Sequence, residues 1–338
     1  MTARVIAFAN QKGGVGKTTT TLSVAGALAE LGQAVLVVDL DPQACLTFSM
    51  GYDPDELDPT IHDVVVGRVD LAQTVRQHEE VDVAPANIDL AGAEVTLLSR
   101  TGREYLLRGE LSDLLDSYDT VLIDCAPSLG VLTINGLTAA DEVVVPVQCE
   151  TLSHRGVAQL LDTINDVRRL TNRSLEVRGM VVTMFDSRTR HGREVLRDLI
   201  ARYDLDLIGP PVRKSVRFAE APIGGQSLLA AGTDVPGTAA YRAIARELLG
   251  LPVEEELLEG AGWGRETRRE ILGETEDETG PDPDPTPSDD AAPGTPADAD
   301  DPSAAGGGDD GSGAESSEAA GADELTVVDL DERERTRG

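Results

Sequence analysis

Short apolar runs recur through most of the chain, each followed by a longer stretch in which apolar positions repeat at helical spacing. Val5-Ile6-Ala7-Phe8-Ala9 is the first run; a Gly-rich turn follows, then a helical pattern from Thr18 to Leu31 that Gly32 stops. A second run, Ala34-Val35-Leu36-Val37-Val38, leads into Asp39-Leu40-Asp41-Pro42-Gln43. Residues 44–80 read as irregular chain with short helical pieces, and Val81-Asp82-Val83-Ala84 as a weak third strand. Helical spacing over Ile88 to Ser117 predicts helix there. Thr120-Val121-Leu122-Ile123-Asp124 is a buried strand ending on a carboxylate. Beyond it the pattern predicts helix over Leu129–Ala140, strand over Glu142–Val147, helix over Leu152–Leu170, strand over Val177–Thr183, and helices over Arg193–Tyr203 and Gly237–Leu249. Strands apolar on both faces that alternate with helices predict an α/β fold: a mostly parallel, doubly wound sheet covered on both sides.

The pattern changes beyond about Leu251. Residues 253–272 predict one or two short helices. Residues 274–325 are almost exclusively Asp, Glu, Pro, Gly, Ser, Thr and Ala, too little apolar surface to offset chain entropy, so a disordered acidic tail is expected. Glu324–Leu330 is a small apolar island in it, either a docking motif or a chance patch. The expected organisation is a domain over 1–250, a helical extension over 251–273 and a tail over 274–338.

Charge follows the same division. The 338 residues carry 61 acidic and 29 basic groups, net −32; residues 1–250 hold 34 and 23 of these, and residues 251–338 hold 27 and 6. The domain is mildly acidic and the remainder is a polyanion. Cys45, Cys125 and Cys149 form no C-x-x-C pair and read as small buried hydrophobes in a reducing cytosol. The four histidines, His62, His78, His154 and His191, have no metal-ligand spacing and read as surface or loop residues. No charged-then-apolar leader and no apolar run of about 18 residues is present, so a cytoplasmic protein with no membrane segment is expected. Arginine replaces lysine almost everywhere; a GC-rich genome and a salt-rich cytoplasm both produce that composition.

The chemistry lies in Lys12-Gly13-Gly14-Val15-Gly16-Lys17-Thr18-Thr19. A strand, a Gly-rich turn and a helix N-terminus make a phosphate cradle: backbone N–H groups and the helix dipole face the anion, and a Cβ would block its approach. In such a P-loop Lys17 reaches the β- and γ-phosphates and the Thr18 hydroxyl ligates Mg²⁺. Gln11 stands where the usual pattern has its first glycine, and Lys12 adds a second cation. Asp39, Asp41 and Asp124 fall at strand ends, where open α/β sheets bind ligands. Asp124 matches a Walker B carboxylate holding Mg²⁺; Asp41, stiffened by Pro42, is placed to orient a water for attack on the γ-phosphate, with Asp39 supporting the metal and its water.

KGGVGKTT, VLVVDLDPQ, VLIDCAPSLG, VLTINGLTAADEVVVPVQCE, MVVTMFDSRTR and VRFAEAP occur in order over residues 4–250. This ordered set resembles the ParA/Soj partitioning ATPases of the wider MinD/ParA group, whose P-loop is the deviant Walker A form. The resemblance implies an ATP-driven homodimer, binding of double-stranded DNA without sequence preference, and a ParB-type centromere-binding partner that stimulates hydrolysis. It implies that Lys12 is the signature lysine reaching the other subunit's nucleotide, that Lys17 is the P-loop lysine, and that Thr18 and Asp124, with Asp41 beside them, serve Mg²⁺. It further implies that Thr19 contacts the α-phosphate and Asp41 positions the water. Nucleotide contacts are expected from Lys12 through Thr19, and catalytic roles for Lys12, Lys17, Asp39 and Asp41. Arg188 and Arg217 fall where the family places DNA-contacting arginines; with Arg190, Arg193, Arg213 and Lys214 they are expected on one DNA-binding face of a nucleoid-associated protein.

Three features depart from that pattern. Where relatives carry IPRN, a segment that helps hold adenine, this chain has Val212-Arg213-Lys214-Ser215. Thr151-Leu152-Ser153-His154-Arg155 replaces an aromatic-rich run, and the acidic tail lies outside the family core. A P-loop starting at residue 12 leaves no room for an N-terminal helix-turn-helix, so operator binding is not expected. A MinD-like membrane-cycling protein would carry a basic amphipathic C-terminus, whereas this one is a polyanion. An iron–sulfur protein on this fold would need a partner for Cys125, and a ParA-like protein positioning a cargo other than DNA would share the same site.

Overall fold

The computed structural model describes residues 2–272; the expected disordered tail and its apolar island lie outside them. Six strands, β1 (Arg4–Phe8), β2 (Val35–Leu40), β3 (Asp82–Ala84), β4 (Thr120–Cys125), β5 (Glu142–Gln148) and β6 (Glu176–Thr183), form one sheet in the order β3-β2-β4-β1-β5-β6. Every pairing is parallel.

Alternation along the strands decides the layering. Ala7, Leu36, Val38, Ile123, Val145 and Val147 point into one core, with Leu160 and Ile164 of the helix Ser153–Leu170 and Leu196 and Leu199 of the helix Arg190–Tyr203. Their neighbours Ile6, Phe8, Val37, Leu122, Val144 and Val181 point into the other, against the helices Lys17–Glu30 and Pro236–Leu248. Because both faces are buried, the strands read as unbroken apolar runs.

The predicted helix over 88–117 is broken. Helix runs over Leu90–Leu97, a 3-10 turn over Arg103–Tyr105, and helix again over Leu106–Leu111. Gly102 takes φ 68°, and the buried Asn135 holds the break from a different helix. Its Nδ2 donates to the Arg103 carbonyl at 2.7 Å, and its Oδ1 accepts from Leu107 N–H at 3.2 Å. Beyond the helix Pro236–Leu248, two short helices, Glu255–Gly260 and Arg265–Leu272, return to the body of the protein.

β1 lies between β4 and β5, and the chain leaves β1 in one direction for β2 and returns past it for β5. This reversal opens a crevice at the carboxyl ends of β1, β2 and β4, where the candidate residues collect.

Candidate functional site

The turn after β1 is built on glycine. Gly14 and Gly16 have φ 73° and 79°, a conformation that strains any residue with a Cβ. A Cβ at Gly14 would meet nothing within 4 Å and would project into the open mouth of the loop. Gly16 precedes the helix Lys17–Glu30, whose first turn has no side-chain cap. Its N–H donors are left for an anion. The loop is braced from outside: the Thr183 hydroxyl donates to the Val15 carbonyl at 2.7 Å, and Gln148 Nε2 donates to the Gly14 carbonyl at 3.0 Å.

Behind the loop lies a buried charge cluster. Asp39 and Asp124 are register partners on β2 and β4, both fully buried, with Lys17 buried alongside. The Thr18 hydroxyl donates to Asp124 Oδ2 at 2.7 Å. Burial first, and the neighbouring Asp39 charge second, push the Asp124 carboxyl up to about 8. Burial pushes Asp39 up to about 6, opposed by hydrogen bonds from the Thr47 N–H and hydroxyl and from Asp41 N–H. Burial lowers the Lys17 pKa, and Asp124 and Asp41 partly restore it. Two facing carboxylates that burial holds toward neutrality, beside one ammonium, form a site short of positive charge. Among the described residues no three His, Cys, Asp or Glu side chains could hold a metal by themselves. That fits Mg²⁺, which takes one or two protein oxygens and fills its octahedron with phosphates and water. Thr18 and Asp124 are the groups here that fit.

Asp41 sits at the rim, 9 % exposed, accepting from Gln43 N–H at 3.0 Å. Thr19 and Gly16 open onto a cavity of about 270 Å³ lined largely by apolar groups, among them Met184, Val212, Phe218 and Tyr241. Phe218 stands edge-on to Tyr241, with ring centroids 5.5 Å apart. The Lys12 ammonium is paired with Glu150 of its own chain.

The expected DNA residues are brought together only in part. Phe185 and Arg213 form a parallel bridge, so Arg188, Arg213 and Lys214 line one groove of about 500 Å³. Arg190 and Arg217 do not line it. The arginines are also occupied: Arg188 pairs with Asp186, Arg190 with Glu194, Arg217 with Glu220, and Arg213 donates to the Gly262 carbonyl.

Sequence reading missed Thr47, which supplies two of the three hydrogen bonds to Asp39, and the apolar cavity made by Met184, Phe218 and Tyr241. Thr47 lies eight residues beyond Asp39 on a short helix, and the cavity draws on four separated segments. No local spacing marks either. Cys45 is exposed, which corrects its reading as a buried hydrophobe. His62, His154 and His191 lie on helices, not loops, and among the described residues the buried His154 Nδ1 has no hydrogen-bond partner.

A family model described as "AAA domain" matches residues 3–177. The chain is 38 % identical over 247 residues to the sporulation initiation inhibitor protein Soj of Bacillus subtilis, covering 72 % of this chain and 98 % of Soj. It is 40 % identical over 250 residues to the chromosome partitioning protein ParA of Caulobacter vibrioides, covering 73 % and 94 %. A crystal structure described as cobyrinic acid a,c-diamide synthase from Mycobacterium smegmatis, with bound ADP and magnesium, is 50 % identical. It covers 73 % of this chain and 94 % of that one, with a TM-score of 0.65. A parallel sheet with an uncapped glycine loop at its switch point, and identity along nearly the whole of Soj and ParA, place this chain in one group: it belongs to the ParA/Soj family of P-loop ATPases.

Proposed function

We propose that the protein is an ATP- and Mg²⁺-dependent ATPase that dimerises on ATP, binds duplex DNA without sequence preference and acts in chromosome or plasmid partitioning. A ParB-type partner would stimulate it, and it would work in the cytoplasm on the nucleoid. The observation that carries this reading is the convergence of Lys17, Thr18, Asp124 and Asp39 behind a glycine cradle with free N–H donors. Lys17 meets the β- and γ-phosphates and Thr19 the α-phosphate. Thr18 and Asp124 would hold Mg²⁺, which would supply positive charge against the phosphates. Asp41, at the rim, orients the attacking water, and Asp39 fixes the Asp41 loop by accepting its N–H. The apolar cavity beside Thr19 is sized and lined for a purine base, with Met184, Val212 and Phe218 in place of the missing IPRN contacts. Lys12 leaves Glu150 to meet the nucleotide of the partner subunit.

Three other readings have less support. Among the described residues no helix is long and apolar enough to cross a membrane, and the C-terminal composition is opposite to that of a basic membrane helix. A ParA-like protein moving another cargo would have the same nucleotide site but no need of the arginine groove. The name of the M. smegmatis structure raises amide synthesis, in which ammonia commonly comes from glutamine through a cysteine thiolate. Burial pushes the Cys125 and Cys149 thiols upward, Cys149 to about 12, away from the thiolate such a step needs.

The test is ATP hydrolysis measured with and without duplex DNA, for the natural chain and Arg188→Glu. We expect DNA to bind only with ATP and to stimulate turnover, and Arg188→Glu to weaken binding to every duplex alike. DNA binding should fall with salt at a log–log slope of about −0.9 per phosphate neutralised. ATP hydrolysis with no DNA binding at any salt would leave the cargo-positioning reading.

A further inference from the structure

The two helices beyond residue 250 bear on the arginine face. Leu258, Ala261, Trp263 and Ile271 are buried, Trp263 and Ile271 in the same core as Val195, Leu196 and Leu199 of the helix Arg190–Tyr203. Around these anchors the contacts are made to arginines. Arg193 pairs with Glu270. Arg197 Nε donates to the Ile271 carbonyl at 2.6 Å, and its Nη2 to the Glu270 carbonyl at 3.3 Å. Arg213 Nη2 donates to the Gly262 carbonyl at 3.2 Å. The Arg193 side chain is left 27 % exposed, against 87 % for Arg188 and 88 % for Arg190.

This docking is of a kind that a polyanion can undo. The helix Arg265–Leu272 has eight residues and one buried side chain, Ile271. It is too short to be stable alone and holds its place through tertiary contacts. Two arginine contacts cap its last carbonyls and one pairs with its carboxylate, and a phosphate backbone offers the same arginines stronger, charge-assisted partners. The sequence after Leu272 opens with Glu274, Glu276, Asp277 and Glu278, so the polyanionic part of the chain departs from a helix held on Arg193 and Arg197.

We propose that residues 255–272 are a strap that competes with polyanions for the arginine face, and that it holds donors of Arg193, Arg197 and Arg213 that a phosphate backbone takes over when it lets go. The inference rests on the reading above that this face takes duplex DNA. With the strap docked, Arg188, Arg213 and Lys214 line the groove, with one Arg213 donor held by the Gly262 carbonyl. With it released, Arg193 and Arg197 join them and the held Arg213 donor is freed.

Trp263 is the only tryptophan in the chain, so its emission reports strap docking in the full-length protein. Labelled duplex DNA is titrated with ATP present, following DNA anisotropy and Trp263 emission together, for the natural chain, Glu270→Gln and the charge-matched control Glu266→Gln. We expect Trp263 emission to shift to the red in step with DNA occupancy, and Glu270→Gln to bind DNA more tightly than Glu266→Gln. Recruitment of Arg193 and Arg197 should steepen the salt dependence by ~0.9 each, or ~12-fold in affinity between 50 and 200 mM salt. DNA binding with Trp263 emission unchanged, or the two variants binding equally, would overturn the strap and leave the DNA reading standing. If no form binds DNA, that reading fails and heparin takes the place of DNA. A red shift of Trp263 on heparin binding then supports the strap, and its absence overturns it.

Discussion

Asp39 and Asp124 face each other at one register step, and their burial costs the fold something until a cation arrives. Both carboxyls titrate above their ordinary value near 4, at about 6 and about 8. A group whose pKa is raised in the fold stabilises it fully below its unfolded value, and that stability is lost as pH rises through the folded value. Without nucleotide and with EDTA present, the melting temperature should therefore fall between pH 5 and 8.5, and Asp124→Asn should flatten the fall. A variant whose melting temperature tracks the natural protein across that range would contradict the assignment. Asp41 answers to a different measurement. Among the described residues its carboxylate hydrogen-bonds Gln43 N–H rather than Thr18 or Lys17, so Asp41→Ala should still bind nucleotide and slow phosphate release by about 10²–10⁴-fold. Phosphate release at the natural rate would remove Asp41 from the water-orienting role. These three aspartates were legible in the sequence because each ends or follows an apolar strand. Thr47, which makes burial of Asp39 tolerable, was not.

At the scale of elements, the sheet was readable and its irregularities were not. β5 and β6 change register between Val143 and Val144, and Gly179 occupies the bulge with φ 144°. A Cβ there would lie 2.5 Å from the Asp206 carbonyl oxygen, which is backbone and cannot swing away. Gly179→Ala should cost about 2–4 kcal/mol, read from urea unfolding monitored by circular dichroism. A loss within about 0.5 kcal/mol would mean that the strand re-registers freely. The break in the 88–117 helix has a similar origin. Apolar periodicity continues through Leu97, Leu98, Leu106 and Leu107, but the satisfied backbone groups at the break belong to Asn135, far along the chain. Periodicity carries no record of such a partner.

For the whole molecule, the proposed role of Lys12 toward a second copy turns on what holds it now. In the structure its ammonium is held by Glu150, which is 61 % exposed. A pair that open to water is weak, commonly below about 1 kcal/mol, so contact with a nucleotide across a dimer can replace it. Lys12→Ala should retain nucleotide but stay monomeric with ATP, whereas Glu150→Gln should dimerise at least as readily as the natural protein. Light scattering distinguishes them, and an ATP-dependent dimer of Lys12→Ala would end the proposed role. The charge asymmetry belongs to this scale as well. A chain of net −32 can attract a polyanion only through a local patch, and tertiary structure brings Arg188, Arg213 and Lys214 to one groove from two segments.

The sequence by itself determined the parallel sheet, the P-loop and the carboxylates around it. A strand buried on both faces must be apolar throughout, a phosphate loop needs glycine at fixed spacing, and both signals are local. Only the tertiary structure decided that Asp39 and Asp124 share a register, that Thr47 supports Asp39, that Met184, Phe218 and Tyr241 close one cavity, and that the segment beyond residue 250 docks on Arg193, Arg197 and Arg213. Those contacts join residues far apart in the chain. They depend on strand order and helix placement, which the packing of the two cores sets and no single segment encodes.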